Sequence, residues 1–368
     1  MGDRDKTDDP LAPAARRRCP LPATEAPLRL GSLEKAYVIW LAGGSCDGCS
    51  VAVTGATQPR LEQLLTGTIP GVPRIELLHT DFSIESGPEW TENLFMAERG
   101  ELDAPYIVTY EGSVPDESRA GDGFWAAVGY DPVSGRQLTS REWLERLAPG
   151  AAAVIAIGTC ASFGGVPAAH GNATGATGVP SCLGDGYRSA AGLPLVILPG
   201  CAPPGDTYVE VAAAVLLFLN GLAPLPEFDE MGRPAWMYGS TVHAHCTRTR
   251  SYLAGVFARE YGDAECLVEL GCQGPTSVCT VAERGVIDGH GGCMSVGGIC
   301  IGCTMPGFPD VYLPAARHLP AHPTVVRRPG SFRRRMAAVR ARAGTGPLAL
   351  CRVTVATRLP RDKEPVVA

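Results

Sequence analysis

Between residues 35 and 201 the chain carries four short apolar runs: "AYVIWLA" (36–42), "PYIVTYEG" (105–112), "AAAVIAIGTC" (151–160) and "LPLVILPGC" (193–201). Their apolar residues stand on successive positions, which is the pattern of strands buried on both faces of a parallel sheet. The segment "GDTYVEVAAAVLLFLNG" (205–221) has the length and apolar content of a helix laid over such a sheet, with Asp206 placed to cap its start. Beyond residue 240 the strand-like runs stop, and the chain to residue 310 is dense in cysteine, glycine and short loops. The pattern predicts an α/β domain over 34–225 and a loop-rich domain over 226–313. A flexible tail (1–33) precedes them and a basic extension (314–368) follows.

No apolar run reaches the roughly 18 residues that would mark a transmembrane helix; the nearest, "VEVAAAVLLFLNGL", is too short. Arg16, Arg17 and Arg18 are followed by Cys19, Pro20, Pro22 and Pro27 instead of an apolar stretch, so no signal peptide is expected and a cytoplasmic location is. A formal net charge of −6 argues against nucleic acid as a partner. Fourteen cysteines are too dilute in 368 residues for a disulfide scaffold. Metal binding accounts for them better.

Each strand-like run ends in a loop with chemistry: the first at Cys46 and Cys49, the second at Glu111, the third at Cys160 and the fourth at Cys201. In an open parallel sheet the carboxyl ends of the strands gather on one edge, so these side chains can meet there. One Cys-x-x-Cys joined to two single cysteines on other strands favours an iron-sulfur cluster over a structural zinc knuckle, with zinc the competing reading. Glycines around the thiols, among them Gly43, Gly44, Gly48, Gly158, Gly164, Gly165 and Gly200, leave room for a bulky anionic core. Glu111 is a candidate proton relay, or an acceptor of N–H bonds from the Gly43–Ser45 loop; the supporting role is favoured.

The later region supplies His243 and Cys246 in a His-x-x-Cys, then Cys266 and Cys272, and after them Cys279, Cys293, Cys300 and Cys303. Zinc is again an open alternative for this half. Together eleven cysteines and one histidine form three sets of four, leaving Cys19, Cys182 and Cys351 over. Three centres in a row suggest electron transfer. Without a long apolar run, this half would draw much of its folding energy from the metal centres.

In family order, "CDGCS", "YEGSVP", "GTCASFGG", "PGCAPPGD", "HAHC", "CLVELGCQGP" and "CIGC" with "MPGFPD" resemble the small, electron-transferring subunit of nickel-iron hydrogenases over residues 36–311. The resemblance implies a flavodoxin-like N-terminal domain holding a proximal 4Fe-4S cluster on Cys46, Cys49, Cys160 and Cys201. It implies a distal 4Fe-4S cluster on His243, Cys246, Cys266 and Cys272, and a medial cluster on Cys279, Cys300 and Cys303. Cys293 stands where many members have proline and a 3Fe-4S centre, so a 4Fe-4S medial cluster is favoured. The same spacing selects His243 over His245 and gives His170 no role. The nickel-iron site would lie on a large-subunit partner, where dihydrogen is oxidised, with electrons leaving to a quinone or a membrane-linked carrier. A higher-order oligomer of heterodimers is expected.

Asp47, between the first two cysteines, replaces the neutral residue common in the family. It is a candidate oxygen ligand to the proximal cluster, although capping the following helix or pairing with a cation is the favoured reading. The "CDGCSVAVTGA" form and the short Cys272–Cys279 segment resemble the actinobacterial-type, oxygen-tolerant uptake group. The two extra proximal cysteines of some other oxygen-tolerant enzymes are absent, Gly48 and Ser50 standing beside the ligands. The basic extension, with a cationic helix predicted over Ser331–Ala343, suits docking on a partner surface. Two alternatives stay open: a complex-I-like quinone-reductase cluster subunit, against which the His-x-x-Cys half argues, and a non-redox zinc interaction module.

Overall fold

A computed structural model of the chain describes residues 32–79 and 88–311. Residues 1–31 of the tail, the whole basic extension (314–368), Cys19, Cys351 and the predicted Ser331–Ala343 helix lie outside the described residues.

The four apolar runs contain strands, the last three shorter than their runs: β1 (Lys35–Ala42), β3 (Tyr106–Glu111), β6 (Ala153–Ile157) and β7 (Val196–Leu198). A further strand, β2 (Arg74–His79), joins them, and β4 (Ala127–Tyr130) pairs antiparallel with β5 (Gln137–Thr139) as a separate ribbon. The main sheet is parallel throughout, in the order β2-β1-β3-β6-β7. Counting only its own strands, that order is 2-1-3-4-5, the flavodoxin-like arrangement, with the direction of winding reversing between β1 and β3.

Successive side chains point to opposite faces, and both faces are covered. Val38, Trp40, Ile107, Ile155, Ile157 and Leu198 face one core. There they meet residues of α1 (Gly48–Thr54), α2 (Leu61–Thr66) and α7 (Gly205–Leu219). Ile39, Leu41, Val108, Tyr110, Val154 and Ala156 face the other. That side is closed by α3 (Pro88–Arg99), α4 (Ser140–Leu147) and α6 (Val179–Leu183), while α5 (Gly158–Phe163) starts directly at the end of β6.

Asp206 does not cap α7. The N-cap is Pro204, and the Asp206 carboxylate, in the first turn, accepts from the amides of Thr57 and Gln58 beyond α1. A carboxylate in a first helical turn still favours the positive end of the helix dipole, so one residue serves α7 and pins the loop after α1. From residue 235 onward the described chain forms only short helices and turns, none longer than the five residues of Thr249–Leu253. No helix among the described residues is long and apolar enough to cross a membrane.

Candidate cluster sites

The carboxyl ends of β1, β3, β6 and β7 fall on one edge, and the loops leaving them are stitched together by their backbones. Gly43 N donates to Glu111 O and Gly44 N to Ser113 O, each at 2.8 Å. A Cβ on Gly43 would sit 2.1 Å from Ser113 O and 2.4 Å from the Tyr110 hydroxyl, so only glycine permits this approach. The loop then turns through Asp47, at φ 58°, into α1.

The start of α1 is capped from across the sheet. Asp47 occupies the N-cap position but makes no capping hydrogen bond with its side chain, which corrects the expected role. Glu111 takes that place: its carboxylate accepts from Cys49 N (2.9 Å), Ser50 N (3.1 Å) and Trp40 Nε1 (3.1 Å). It is 1% exposed. The Glu111 carboxylate accepts N–H bonds, but its donors are not the Gly43–Ser45 amides; Gly43 bonds to the Glu111 main-chain carbonyl instead.

On the facing side, Thr159 fixes the other two loops. Its amide donates to Gly200 O (3.0 Å), its hydroxyl accepts from Gly200 N (2.9 Å), and the same hydroxyl donates to the Cys303 carbonyl. Cys160 and Cys201, the residues that follow Thr159 and Gly200, are thereby set side by side. Cys46, Cys49, Cys160 and Cys201 act on one another electrostatically as a single group. Burial pushes the Cys49 thiol far above its ordinary range, with Glu111 and the other three thiols adding to the effect. Cys160 is raised by burial to about 11, opposed by an N–H bond from Val166. Cys46 and Cys201 are exposed.

Glycines hold the space around these sulfurs open. A Cβ on Gly158 would lie 2.5 Å from Cys49 Sγ, and one on Gly165 2.7 Å from Cys160 Sγ. Among the described residues, no three His, Cys, Asp or Glu side chains are close enough to hold one metal ion. Four thiols on three loops around glycine-lined space suit a larger inorganic core better than a zinc ion with sulfurs at about 2.3 Å.

In the later region His243, Cys246, Cys266 and Cys272 line one cavity with Arg248, Leu267, Val268 and Met294. Burial lowers the His243 pKa, which keeps the imidazole neutral and able to ligate. The Tyr252 ring meets it edge-on, centroids 4.5 Å apart. His245 turns away, with Nε2 2.9 Å from Ser240 Oγ and 3.8 Å from Glu283. His170 is an exposed loop residue whose amide donates to Asp310.

Cys279, Cys293, Cys300 and Cys303 form the third group, Cys293 at its exposed side. Burial raises Cys279 to about 11 and Cys300 and Cys303 to about 12. This group touches both others. The Cys201 amide donates to the Cys303 sulfur. Cys300 N donates to Cys272 Sγ at 3.3 Å, and Gln273 N returns a bond to Cys300 O at 2.7 Å. Its place between the other two makes the arrangement a chain of three sets of donors. Cys182 belongs to none of them; it is buried in α6 with its thiol directed at Glu145.

Two family models match the two halves. One, described as the NADH ubiquinone oxidoreductase 20 kDa subunit, covers residues 46–215; the other, the C-terminal part of the NiFe/NiFeSe hydrogenase small subunit, covers 238–315. The periplasmic NiFeSe hydrogenase small subunit of Desulfomicrobium baculatum is 34% identical over 282 residues, spanning 75% of this chain and 85% of the relative. The chain belongs to the NiFe hydrogenase small-subunit family. The hydrogenase-2 small chain of Escherichia coli K12 is 30% identical over 74% of this chain and 67% of its own length. Among solved structures, the actinobacterial-type NiFe-hydrogenase from Ralstonia eutropha H16 superposes with a TM-score of 0.74 at 43% identity, covering 85% of this chain and 91% of that one. The match to the complex I subunit model spans only the half without the His-x-x-Cys motif, and the hydrogenase model takes the other. The chain is thus the small subunit of an enzyme that works with a large subunit.

Thr159 was not singled out by the sequence, although its place beside a strand-end cysteine was a signal. Thr159→Val removes a hydroxyl that is 1% exposed and leaves the Gly200 amide and the Cys303 carbonyl without it. The expected cost is on the order of 2–4 kcal/mol. Thermal unfolding of the purified heterodimer should show the loss, and Thr159→Ser should recover most of it.

Proposed function

We propose that this small subunit holds three iron-sulfur clusters and passes electrons from dihydrogen oxidation on the large subunit to a quinone or a membrane-linked carrier. The proximal cluster is assigned to Cys46, Cys49, Cys160 and Cys201, the medial to Cys279, Cys293, Cys300 and Cys303, and the distal to His243, Cys246, Cys266 and Cys272. The observation that carries this reading is the contact of the middle set with both others, through Thr159 and Cys201 on one side and Cys272 on the other. When bound, the clusters supply one-electron redox chemistry.

What the chain contributes is a hydrogen-bonded frame. Amides of Val166, Cys201, Gly274, Val281 and Gly302 donate to ligand sulfurs and favour their ionised form. At the distal site a neutral imidazole replaces one thiolate, which lessens the negative charge there and raises the potential. At the proximal site the exposed Cys46 and Cys201 stand on the surface with Val51 (60% exposed) and Val166 (54% exposed) on the neighbouring turns. Thiols and apolar side chains in the open suit cover by the large subunit. The exposed Asp47, free of a capping role, is the alternative oxygen donor on that face.

Metal analysis of the anaerobically purified heterodimer tests the assignment. About twelve irons with matching labile sulfide, assigned to the small subunit after allowing for the large-subunit centre, is the expected result. Zinc without sulfide in a colourless small subunit would overturn it. Cys293→Ser should convert the medial centre to a 3Fe-4S form, seen as the loss of about one iron and a new EPR signal in the oxidised protein. An unchanged iron count and spectrum would remove Cys293 from the ligand set.

A further inference from the structure

Ser277 lies in the loop between Cys272 and Cys279, and both of its main-chain groups are committed. Ser277 N donates to Gln273 O (3.0 Å), and Ser277 O accepts from Val242 N (2.8 Å), tying the loop to the helix that bears His243. The side chain is 0% exposed. Among the described residues its Oγ is one of two buried side-chain polar atoms without a partner at hydrogen-bonding geometry, the other being Arg233 Nη1. The Cys300 side chain is the neighbour within its reach. A buried hydroxyl left unpaired is costly, and a ligating sulfur, rich in negative charge, is the acceptor this position offers.

We propose that the Ser277 hydroxyl donates a hydrogen bond to the sulfur of Cys300 in the loaded protein and so holds up the reduction potential of the medial centre. The inference rests on the cluster assignment above and adds to it a positioning residue outside the ligand set. Reduction adds one electron to the centre and raises the charge on its sulfurs. A donor already aimed there is therefore worth more in the reduced state than in the oxidised one. The main-chain N–H of Gly302 also serves Cys300, but no side-chain substitution removes it. Cys300 is also the residue through which the medial group meets Cys272. A tuning bond at this atom acts where the two later sites join.

EPR-monitored redox titration of the purified heterodimer tests this without reference to turnover. In Ser277→Ala, one cluster midpoint should fall by the equivalent of about a tenfold change in the oxidised-to-reduced ratio, or about 59 mV for a one-electron couple. The other two midpoints should stay in place, and Ser277→Thr, which keeps the hydroxyl, should hold the parent value. A fully loaded Ser277→Ala protein with three unmoved midpoints would overturn the proposal while leaving the cluster assignment intact. A parent protein without iron and sulfide would overturn both. If Ser277→Ala does not assemble, Ser277→Cys, close in shape and a weaker donor, takes its place: a fall in the same midpoint supports the bond, and an unmoved one overturns it.

Discussion

Gly158→Ala is expected to leave the small subunit about four irons and four labile sulfides short of the parent, with the proximal centre missing from the EPR spectrum. Gly158 opens α5 at φ +87°, where a side chain is strained, and its Cβ would lie 2.5 Å from Cys49 Sγ. The strain alone is worth roughly 1–2 kcal/mol and could be absorbed. The overlap cannot, because Cys49 has little room to retreat: its amide is bonded to the buried Glu111 carboxylate. Gly100 separates the two effects. It has φ +69° and nothing within 4 Å of a built Cβ, so Gly100→Ala carries the strain without the obstruction and should keep its full iron content. A Gly158→Ala protein with all its iron and an unaltered spectrum would show that the Cys49 sulfur is not held where the structure puts it.

The sheet and its cysteines were legible for a physical reason. Strands buried on both faces have to be apolar at every position, so β1, β3, β6 and β7 announce themselves as continuous runs. β2 did not. It is an edge strand, and "RIELLH" spends Arg74 and Glu76 on an exposed ion pair, which breaks the apolar run. The β4–β5 ribbon was hidden too, being short and partly exposed, with Tyr130 in the open. Ligand candidates were readable because few side chains bind soft metals, and a Cys-x-x-Cys at a strand end is a local signal. Partners of those ligands were not local. Thr159 meets Cys303 across 144 residues, and Glu111 reaches Cys49 across 62. Asp47 and Asp206 both stand where the ordinary local inference puts a helix cap. In the fold, the first makes no such bond and the second turns to another loop.

The Glu111 carboxylate is the second position at which a single change should have a large effect. It closes the N-terminal end of a seven-residue helix, and a helix that short has little stability of its own. An anion accepting the first-turn amides satisfies two unpaired donors and complements the helix dipole together. Trp40 Nε1 takes the remaining approach, tying the same carboxylate to the middle of β1. Glu111→Ala leaves three buried donors unpaired. The expected loss is on the order of 3–5 kcal/mol, a large share of the 5–15 kcal/mol that holds a typical domain together. Glu111→Gln keeps one acceptor oxygen but turns an amide NH2 toward a donor, so an intermediate loss is expected. Thermal unfolding and iron content should fall together across Glu111, Gln and Ala if the carboxylate supports the Cys49 loop. A proton-relay role predicts a different pattern, in which Glu111→Gln keeps its iron and its thermal midpoint but loses turnover. The three bonds to main-chain and indole N–H groups favour the first pattern, because each of them holds the carboxylate in place as a fixed acceptor.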